Sequence, residues 1–501
     1  MKAFCFTLTI LCAVQSILAY PRPDFAINGV VSGTAQVKTA AGELNTAIGK
    51  TGEGSVTPTS GYILLTTISN NLQAIGDAIV GSGTELGNAL NNLAADSTGP
   101  VATVFDGVIA KLDAFDGVLK GTFSGKLSAI GTDTGVYIPK QFADAFKTTG
   151  ITLAALKSAL STLKADVQSA KTASGSSTSV SSAIIRAKIP AKSVNNVLTQ
   201  IRQLKANMPL IQFVIDSSLD NLNMVDTFII EMKKEVDRGT GLYTTSIQAF
   251  QANLGVEALN VGNKVSIGIG SSITSLISTI KAELDTVTKY TEDLAPKISA
   301  LDTAFTTTLA TKVGAASSAY NTYSTNVPTL ITDLVASLGQ ALCSPIKAVS
   351  LVQIANGGFS DFCFSKYSPR VFAQVSLTID AFDVCFEKEL SRLITLEGVV
   401  LSIAEQIAFN TADLFDNLSV CLDLPTANQG ACFTTLTPYY TKLAEKSEAH
   451  LTTIANLVTA ETKASFNRLG ACLFVSLSST TLSATDIAST ATSCLTAGPQ
   501  P

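Results

Sequence analysis

The sequence predicts an all-α protein, in which extended amphipathic or heptad helices form one or more bundles or a coiled coil, followed by a disulfide-stapled helical domain. Apolar residues recur at alternating three- and four-residue intervals over long stretches, which is the pattern of helices that bury one face. Hydrophobic residues make up 46% of the 501 residues but aromatic residues only 7%, which favours aliphatic helices over a β-sandwich. Seven cysteines lie in the last third of the chain, where disulfides would hold the helices together.

The first nineteen residues have the pattern of a secretory signal peptide. Lys2 precedes an apolar run from Phe4 to Val14, and the segment ends at the small residue Ala19. The alternative is an uncleaved anchor, but the run is shorter than a bilayer span. We therefore predict a signal peptide at residues 1–19, removal of Cys5 and Cys12 with it, and a secreted, extracellular mature protein without an integral membrane span.

Residues 20–171 are predicted to form an amino-terminal helical region with two apolar seams. Small residues in the first seam, Ser82 and Ala89, would let a neighbouring helix approach closely. The first seam contains Leu65, Ile68, Leu72, Ile75, Ile79, Ser82, Leu86, Ala89 and Leu93, and the second contains Phe142, Phe146, Leu153, Leu156, Leu160, Leu163 and Val167.

Residues 172–182 are almost wholly Ser, Thr, Gly and Ala, which predicts a flexible linker. A second helical region is expected at 183–342. Helix breaks are predicted within it at Arg238 to Gly241, at Pro296 and at Asn326 to Pro328. Its seams contain Leu198, Ile201, Met208, Ile211, Ile215, Leu219, Leu222, Val225, Ile229, Met232 and Val236, and then Ile273, Ile277, Ile280, Leu284, Val287, Thr291, Leu294, Ile298, Leu301 and Phe305.

Such helices pack within one chain, pair between chains, or lie against lipid. Packing is favoured, because the outer faces carry more Ser, Thr and Asn than Lys and Arg. The expected partner is a protein or another extracellular macromolecule, including a second copy of the chain. The uncharged segment Val265 to Ile280 keeps lipid as an alternative partner. The net charge of −5 without a dense basic block argues against nucleic acid.

The last region, 343–495, is predicted to be a cysteine-rich helical domain. Its disulfide candidates are Cys343, Cys363, Cys385, Cys421, Cys432, Cys472 and Cys494. The count is odd, so one thiol is free or shared between chains, and Cys343 is our candidate. The close pair Cys421 and Cys432 would either bridge each other or each pin a different helix. The spacing matches no zinc pattern, and His450 is the only histidine, so no metal site is expected.

Asn417, followed by Leu418 and Ser419, is the only N-glycosylation sequon and therefore the candidate glycan site. Its occupancy requires an exposed Asn side chain, whereas Leu418 is expected to face the core.

The cysteine pattern resembles the TsetseEP domain of secreted insect proteins. The resemblance rests on Phe362-Cys363-Phe364-Ser365-Lys366-Tyr367, on Cys385 ahead of Glu387 and Arg392, on Cys421-Leu422-Asp423, on Cys432-Phe433 and on Cys472. It covers about the last 150 residues and lacks the Glu-Pro repeats of the tsetse protein. It implies an insect secreted protein, of gut or immune tissue, in a family without an established enzymatic role.

We find no pattern of catalytic or cofactor-binding residues. His450 lies on a charge-rich helical face, where a solvated histidine is expected rather than a catalytic one. The glycine-rich run from Gly81 to Gly87 lacks the strand that a nucleotide-binding turn needs. The sequence therefore predicts a secreted, non-enzymatic structural or interaction protein without cofactors. The alternative is an amphipathic helical protein that binds lipid or acts on membranes.

Overall fold

A computed structural model describes residues 24–285 and 287–499, so the predicted signal peptide lies outside the described residues. Over these ranges the chain is helical with no strand beyond an isolated bridge, which confirms the predicted all-α class. The helices are α1 (Thr34–Gly49), α2 (Ile63–Ala95), α3 (Val101–Gly117), α4 (Ser124–Thr134), α5 (Tyr137–Ala173), α6 (Ser182–Lys188), α7 (Ala191–Val265), α8 (Ser271–Leu284), α9 (Ala295–Thr303), α10 (Leu309–Ile354), α11 (Ser360–Leu422) and α12 (Thr426–Ala497). A short 3-10 turn, Lys50–Gly52, and π-helical turns, Val118–Thr122, Ser266–Gly270, Tyr290–Leu294 and Ala304–Thr308, lie between them.

The chain divides into two compact units, each assembled from several segments. The first comprises Met1–Glu231, Lys347–Ser368 and Thr490–Pro501, and the second comprises Met232–Ile346 and Pro369–Ser489. This division differs from the predicted boundaries. The predicted linker, 172–182, falls within the first unit, and the predicted domain 343–495 contributes residues to both units.

The core of the first unit contains the two predicted seams on α2 and α5. Their Leu, Ile, Phe and Val members are buried, because the three- and four-residue spacing places them on one face of each helix. Helix α1 packs closely against α2 at Gly83 and Gly87, and the predicted small residues Ser82 and Ala89 are half-buried. A Cβ atom on Gly83 would lie 2.9 Å from Ile48 Cγ2, and one on Gly87 would overlap the Asn45 side chain.

Polar groups fix the non-helical segments of the first unit. The buried carboxylate of Asp226 accepts hydrogen bonds from the backbone N–H groups of Thr59 and Ser60, at 2.8–3.0 Å. Burial would raise the pKa of Asp226, but these hydrogen bonds outweigh it and lower the pKa. In the predicted linker, the Val180 N–H donates to the Asn28 carbonyl at 2.9 Å, and the Val180 side chain is buried.

The core of the second unit contains the most regular predicted seam. Most of its apolar members are buried, from Ile273 to Phe305, while the polar Thr291 is exposed. Helix α8 ends at Leu284, and Pro296 lies in the first turn of α9. A proline is tolerated there because the first N–H groups of a helix have no partner within the helix.

Two predicted helix breaks are wrong. Helix α7 continues through Gly239, and α10 continues through Pro328. Gly239 serves packing rather than a turn, since a Cβ atom there would lie 2.7 Å from Ile379 Cδ1 and 2.9 Å from Val375 Cγ1. Pro328 is accommodated because a side chain from α7 replaces its missing hydrogen bond.

Candidate functional site

Six of the seven candidate cysteines pair, and every pair joins α11 to α12. Cys363–Cys494 lies in the first unit, while Cys385–Cys472 and Cys421–Cys432 lie in the second. Their Cα atoms are 5.7–5.9 Å apart, within the range for disulfides. Cys421 and Cys432 therefore bridge each other, across the short connection between the two helices. The cysteine-rich region is helical and disulfide-linked, as the predicted fold class requires.

Cys343 has no disulfide partner among the described residues. It lies on α10 in the second unit, its side chain is exposed, and its thiol donates to the Gly339 carbonyl at 3.3 Å. The thiol is thus open to reagents and to a second chain.

Asn417 is exposed near the carboxyl end of α11, whereas the neighbouring Leu418 is fully buried. The Asn417 amide donates to the Asp413 carbonyl at 2.9 Å. Exposure meets the first requirement for glycosylation, but helical geometry differs from the extended loop in which the sequon is usually modified. Its occupancy stays a prediction.

The acidic and histidine side chains on the helix surfaces have ordinary solvated environments. His450 is exposed on α12, and Asp413 and Asp416 are exposed on α11. Glu235 on α7 forms an ion pair with Arg238, three residues later on the same helix. Within residues 24–285 and 287–499, no three His, Cys, Asp or Glu side chains are grouped closely enough to hold a metal ion.

The structure reveals a buried carboxyl pair that the sequence did not indicate. Glu257 on α7 and Glu397 on α11 are only 6% and 7% exposed, in the second unit. The amine of Lys264, two turns after Glu257, contacts the Glu397 carboxylate at 2.5 Å. Burial, followed by the charges of Glu257 and Glu397, raises the pKa of the Tyr320 hydroxyl on α10. This hydroxyl is fully buried and has no hydrogen-bond partner in the described chain.

The two carboxyl groups have different proton affinities. Burial, followed by the hydrogen bond to Glu397, raises the pKa of Glu257 to about 7. Burial acts on Glu397 too, but hydrogen bonds from Lys264 and Glu257 outweigh it and lower the pKa. The first proton that the pair takes up as the pH falls therefore belongs to both carboxyl groups, with Glu257 the more basic of the two. The charge of the pair therefore changes at pH values near 7.

A second buried acid, Glu389 on α11, organises the contact between α11 and α12 in the second unit. Its carboxylate accepts from Arg392, from Ser465 at 2.8 Å and from Arg468 at 3.1 Å. The Tyr323 hydroxyl, from α10, lies 3.1 Å from the Ser465 hydroxyl. Because a buried charge is costly unless paired, this network fixes how the three helices meet.

Comparison with known proteins yields no relative. No protein-family model, curated protein or solved structure matches the chain. The protein is therefore classed by its own features, as an all-α protein with disulfides between two long helices, and the TsetseEP resemblance stays a prediction.

Four helical stretches are long and apolar enough, by length and composition alone, to cross a membrane. They are Ala191–Leu284, Tyr290–Ile354, Ser360–Leu422 and Thr426–Ala497, and 28–33% of each most apolar window is buried.

Proposed function

We propose that this is a secreted, non-enzymatic interaction protein whose helix α11 binds another helical surface, with a second copy of the chain as its first partner. Any other partner would be an extracellular protein or macromolecule. A predicted signal peptide, three disulfides and a candidate glycan site at Asn417 support secretion. The TsetseEP resemblance supports an insect source and gut or immune tissue.

The observation that carries this proposal is a row of exposed apolar side chains on α11 in the second unit. Leu377, Val384, Val399, Phe409 and Val420 are 45–69% exposed, and Phe409 is the most exposed of them. They lie within an arc of about 80° on one side of α11. A partner that buries them together would remove their apolar surface from water.

The disulfides make this face a suitable partner surface. Cys385–Cys472 and Cys421–Cys432 attach α11 to α12 on either side of Val399 and Phe409. A face held in place loses little conformational entropy on binding. A row that pairs with the same row of a second copy is also self-complementary under two-fold symmetry.

The second candidate function, binding of lipid, is favoured by the apolar stretches of the long helices. Under this alternative the same exposed side chains would contact acyl chains. The mass of the secreted protein in solution separates the two: assembly predicts an oligomer, and lipid carriage predicts a monomer with bound lipid.

Sedimentation velocity of two matched variants tests the proposal. Phe409→Asp places a charge in the row, whereas Leu482→Asp places one on α12, outside the row, at a side chain that is 73% exposed. We expect Phe409→Asp to weaken association at least tenfold and Leu482→Asp to leave it unchanged, since only the first charge would be desolvated in the complex. Equal effects of the two variants would contradict the proposed face.

A further inference from the structure

The first unit contains a groove between α1 and α7 with a volume of about 710 Å³. A groove of this size is large enough for a small organic ligand. It lies in another unit from the α11 row and is independent of the function proposed above.

Pro209 lines the groove on the α7 side. As a proline within a helix, it has no N–H to donate to the carbonyl of Lys205, one turn earlier. Ala206 on α7 and Ala47 on α1 also line the groove, and their short side chains leave it open. Short apolar side chains therefore form part of the groove wall, between its polar and charged residues.

The charges around the groove are mostly positive. Lys50, Arg202 and Lys205 line it, together with one acid, Glu43. Glu43 pairs with Lys205 at 2.8 Å, whereas Lys50 and Arg202 form no ion pair within 4.0 Å among the described residues. Three cations and one anion leave an excess of two positive charges, in a chain whose net charge is −5.

An exposed aromatic ring lies one turn beyond Pro209 on the same face of α7. Arg202, Ala206, Pro209 and Phe213 follow one another at three- and four-residue intervals and so lie on one face of α7. The Phe213 side chain is 67% exposed. The face thus changes along the helix from a cationic end at Arg202 to an apolar end at Phe213.

We propose that this groove binds a single-chain amphiphile with an anionic headgroup, a carboxylate or a phosphate. The headgroup pairs with Arg202 and Lys50, because neither forms an ion pair within 4.0 Å among the described residues and a charge-assisted hydrogen bond to an anion is strong. The charge of Arg202 also acts on Glu43 and contributes to lowering its pKa, after the hydrogen bond and charge of Lys205. The alkyl chain lies along Ala206 and Pro209 toward Phe213, where it removes apolar surface from water. Glu43 opposes the headgroup by charge repulsion and so limits the affinity.

Calorimetric titration of the full secreted chain with dodecyl phosphate tests this site. We expect binding of one molecule per chain, weakened at least tenfold for uncharged dodecanol and for inorganic phosphate, since each supplies only one of the two interactions. Arg202→Glu should weaken binding of dodecyl phosphate at least tenfold. Glu43→Gln should strengthen it several-fold, because it removes the opposing charge.

Lys38→Glu on the same helix as Glu43 is the control, because Lys38 is exposed and does not line the groove. Its binding should match that of the wild type, and all variants should keep the wild-type melting temperature. Equal binding of dodecanol and dodecyl phosphate, or wild-type binding by Arg202→Glu, would overturn the proposal. Binding only to vesicles of equal parts phosphatidylcholine and phosphatidylserine, with none to dodecyl phosphate, would overturn it too and indicate a membrane surface as the ligand.

Discussion

The side-chain amide of Gln251 on α7 donates a 2.9 Å hydrogen bond to the carbonyl of Ser324 on α10. Ser324 lies four residues before Pro328, so its carbonyl would receive the helical N–H that proline lacks. Gln251 thus supplies from a second helix the hydrogen bond that the α10 backbone cannot make. The pair explains why α10 continues through Pro328, and it ties the two helices together in the second unit.

Replacing Gln251 with Ala is expected to destabilise the second unit by about 1–3 kcal/mol, because it leaves the half-buried Ser324 carbonyl without a donor. Chemical denaturation followed by circular dichroism measures the change. In a Pro328→Ala background the residue at 328 donates to Ser324 itself, so the cost of losing Gln251 should fall. An equal cost in both backgrounds would contradict this role.

Two glycines in helix interiors of the second unit form a matched pair. Gly239→Ala is expected to destabilise by about 1–3 kcal/mol, because the new Cβ atom meets Ile379 at 2.7 Å. Gly339→Ala meets nothing within 4 Å and should stabilise by up to about 1 kcal/mol through helix propensity. Thermal melts of the two variants should shift in opposite directions, and a shared direction would argue against the close packing at Gly239.

The disulfides should differ in their contribution to stability. Cys385–Cys472 closes 87 residues and Cys421–Cys432 closes 11, so loop entropy predicts losses of about 4–5 and about 3 kcal/mol when each pair is replaced by Ser. Denaturation under non-reducing conditions measures both losses. Cys343→Ser is the control and should have no effect. Peptide mapping that finds Cys343 within an intramolecular disulfide would contradict the pairing.

Stability should fall as the pH rises from about 4.5 to 7, because the folded state keeps a proton on Glu257 that the unfolded state has lost. A raised pKa of a carboxyl group means stabilisation at low pH that disappears as the pH passes the folded value. The change is at most about 3 kcal/mol. Denaturation midpoints at several pH values measure it. In the Glu257→Gln variant the fall in stability between about pH 4.5 and 7 should vanish. If the variant still loses stability over this range, groups other than Glu257 cause the pH dependence.

The helices could be predicted from the sequence because apolar spacing directly reports which face is buried. Local signals failed where a distant residue decided the outcome. Pro328 and Gly239 each favour a helix end when only neighbouring residues are considered. Gln251 replaces the hydrogen bond that Pro328 cannot make, and the close approach of α11 side chains requires a residue as small as Gly239. The sites were harder to predict. Glu257 and Glu397 are far apart in sequence, and nothing in either local pattern indicates that they share a proton.

The disulfide pairing did leave a signal in the sequence. The gaps between successive cysteines from Cys363 onward are 22, 36, 11, 40 and 22 residues, nearly the same in both directions from the Cys421–Cys432 connection. Two antiparallel helices joined by a short connection would place cysteines at equal distances from that connection opposite one another. Helical periodicity together with this symmetry would have selected the three observed pairs.

The mass of the secreted protein in solution, measured by light scattering after gel filtration over a range of concentrations, tests the proposed assembly most directly. We expect a species of at least twice the mass of the mature chain that dissociates in the Phe409→Asp variant. A monomer at every concentration, with no disulfide-linked dimer on a non-reducing gel, would contradict it.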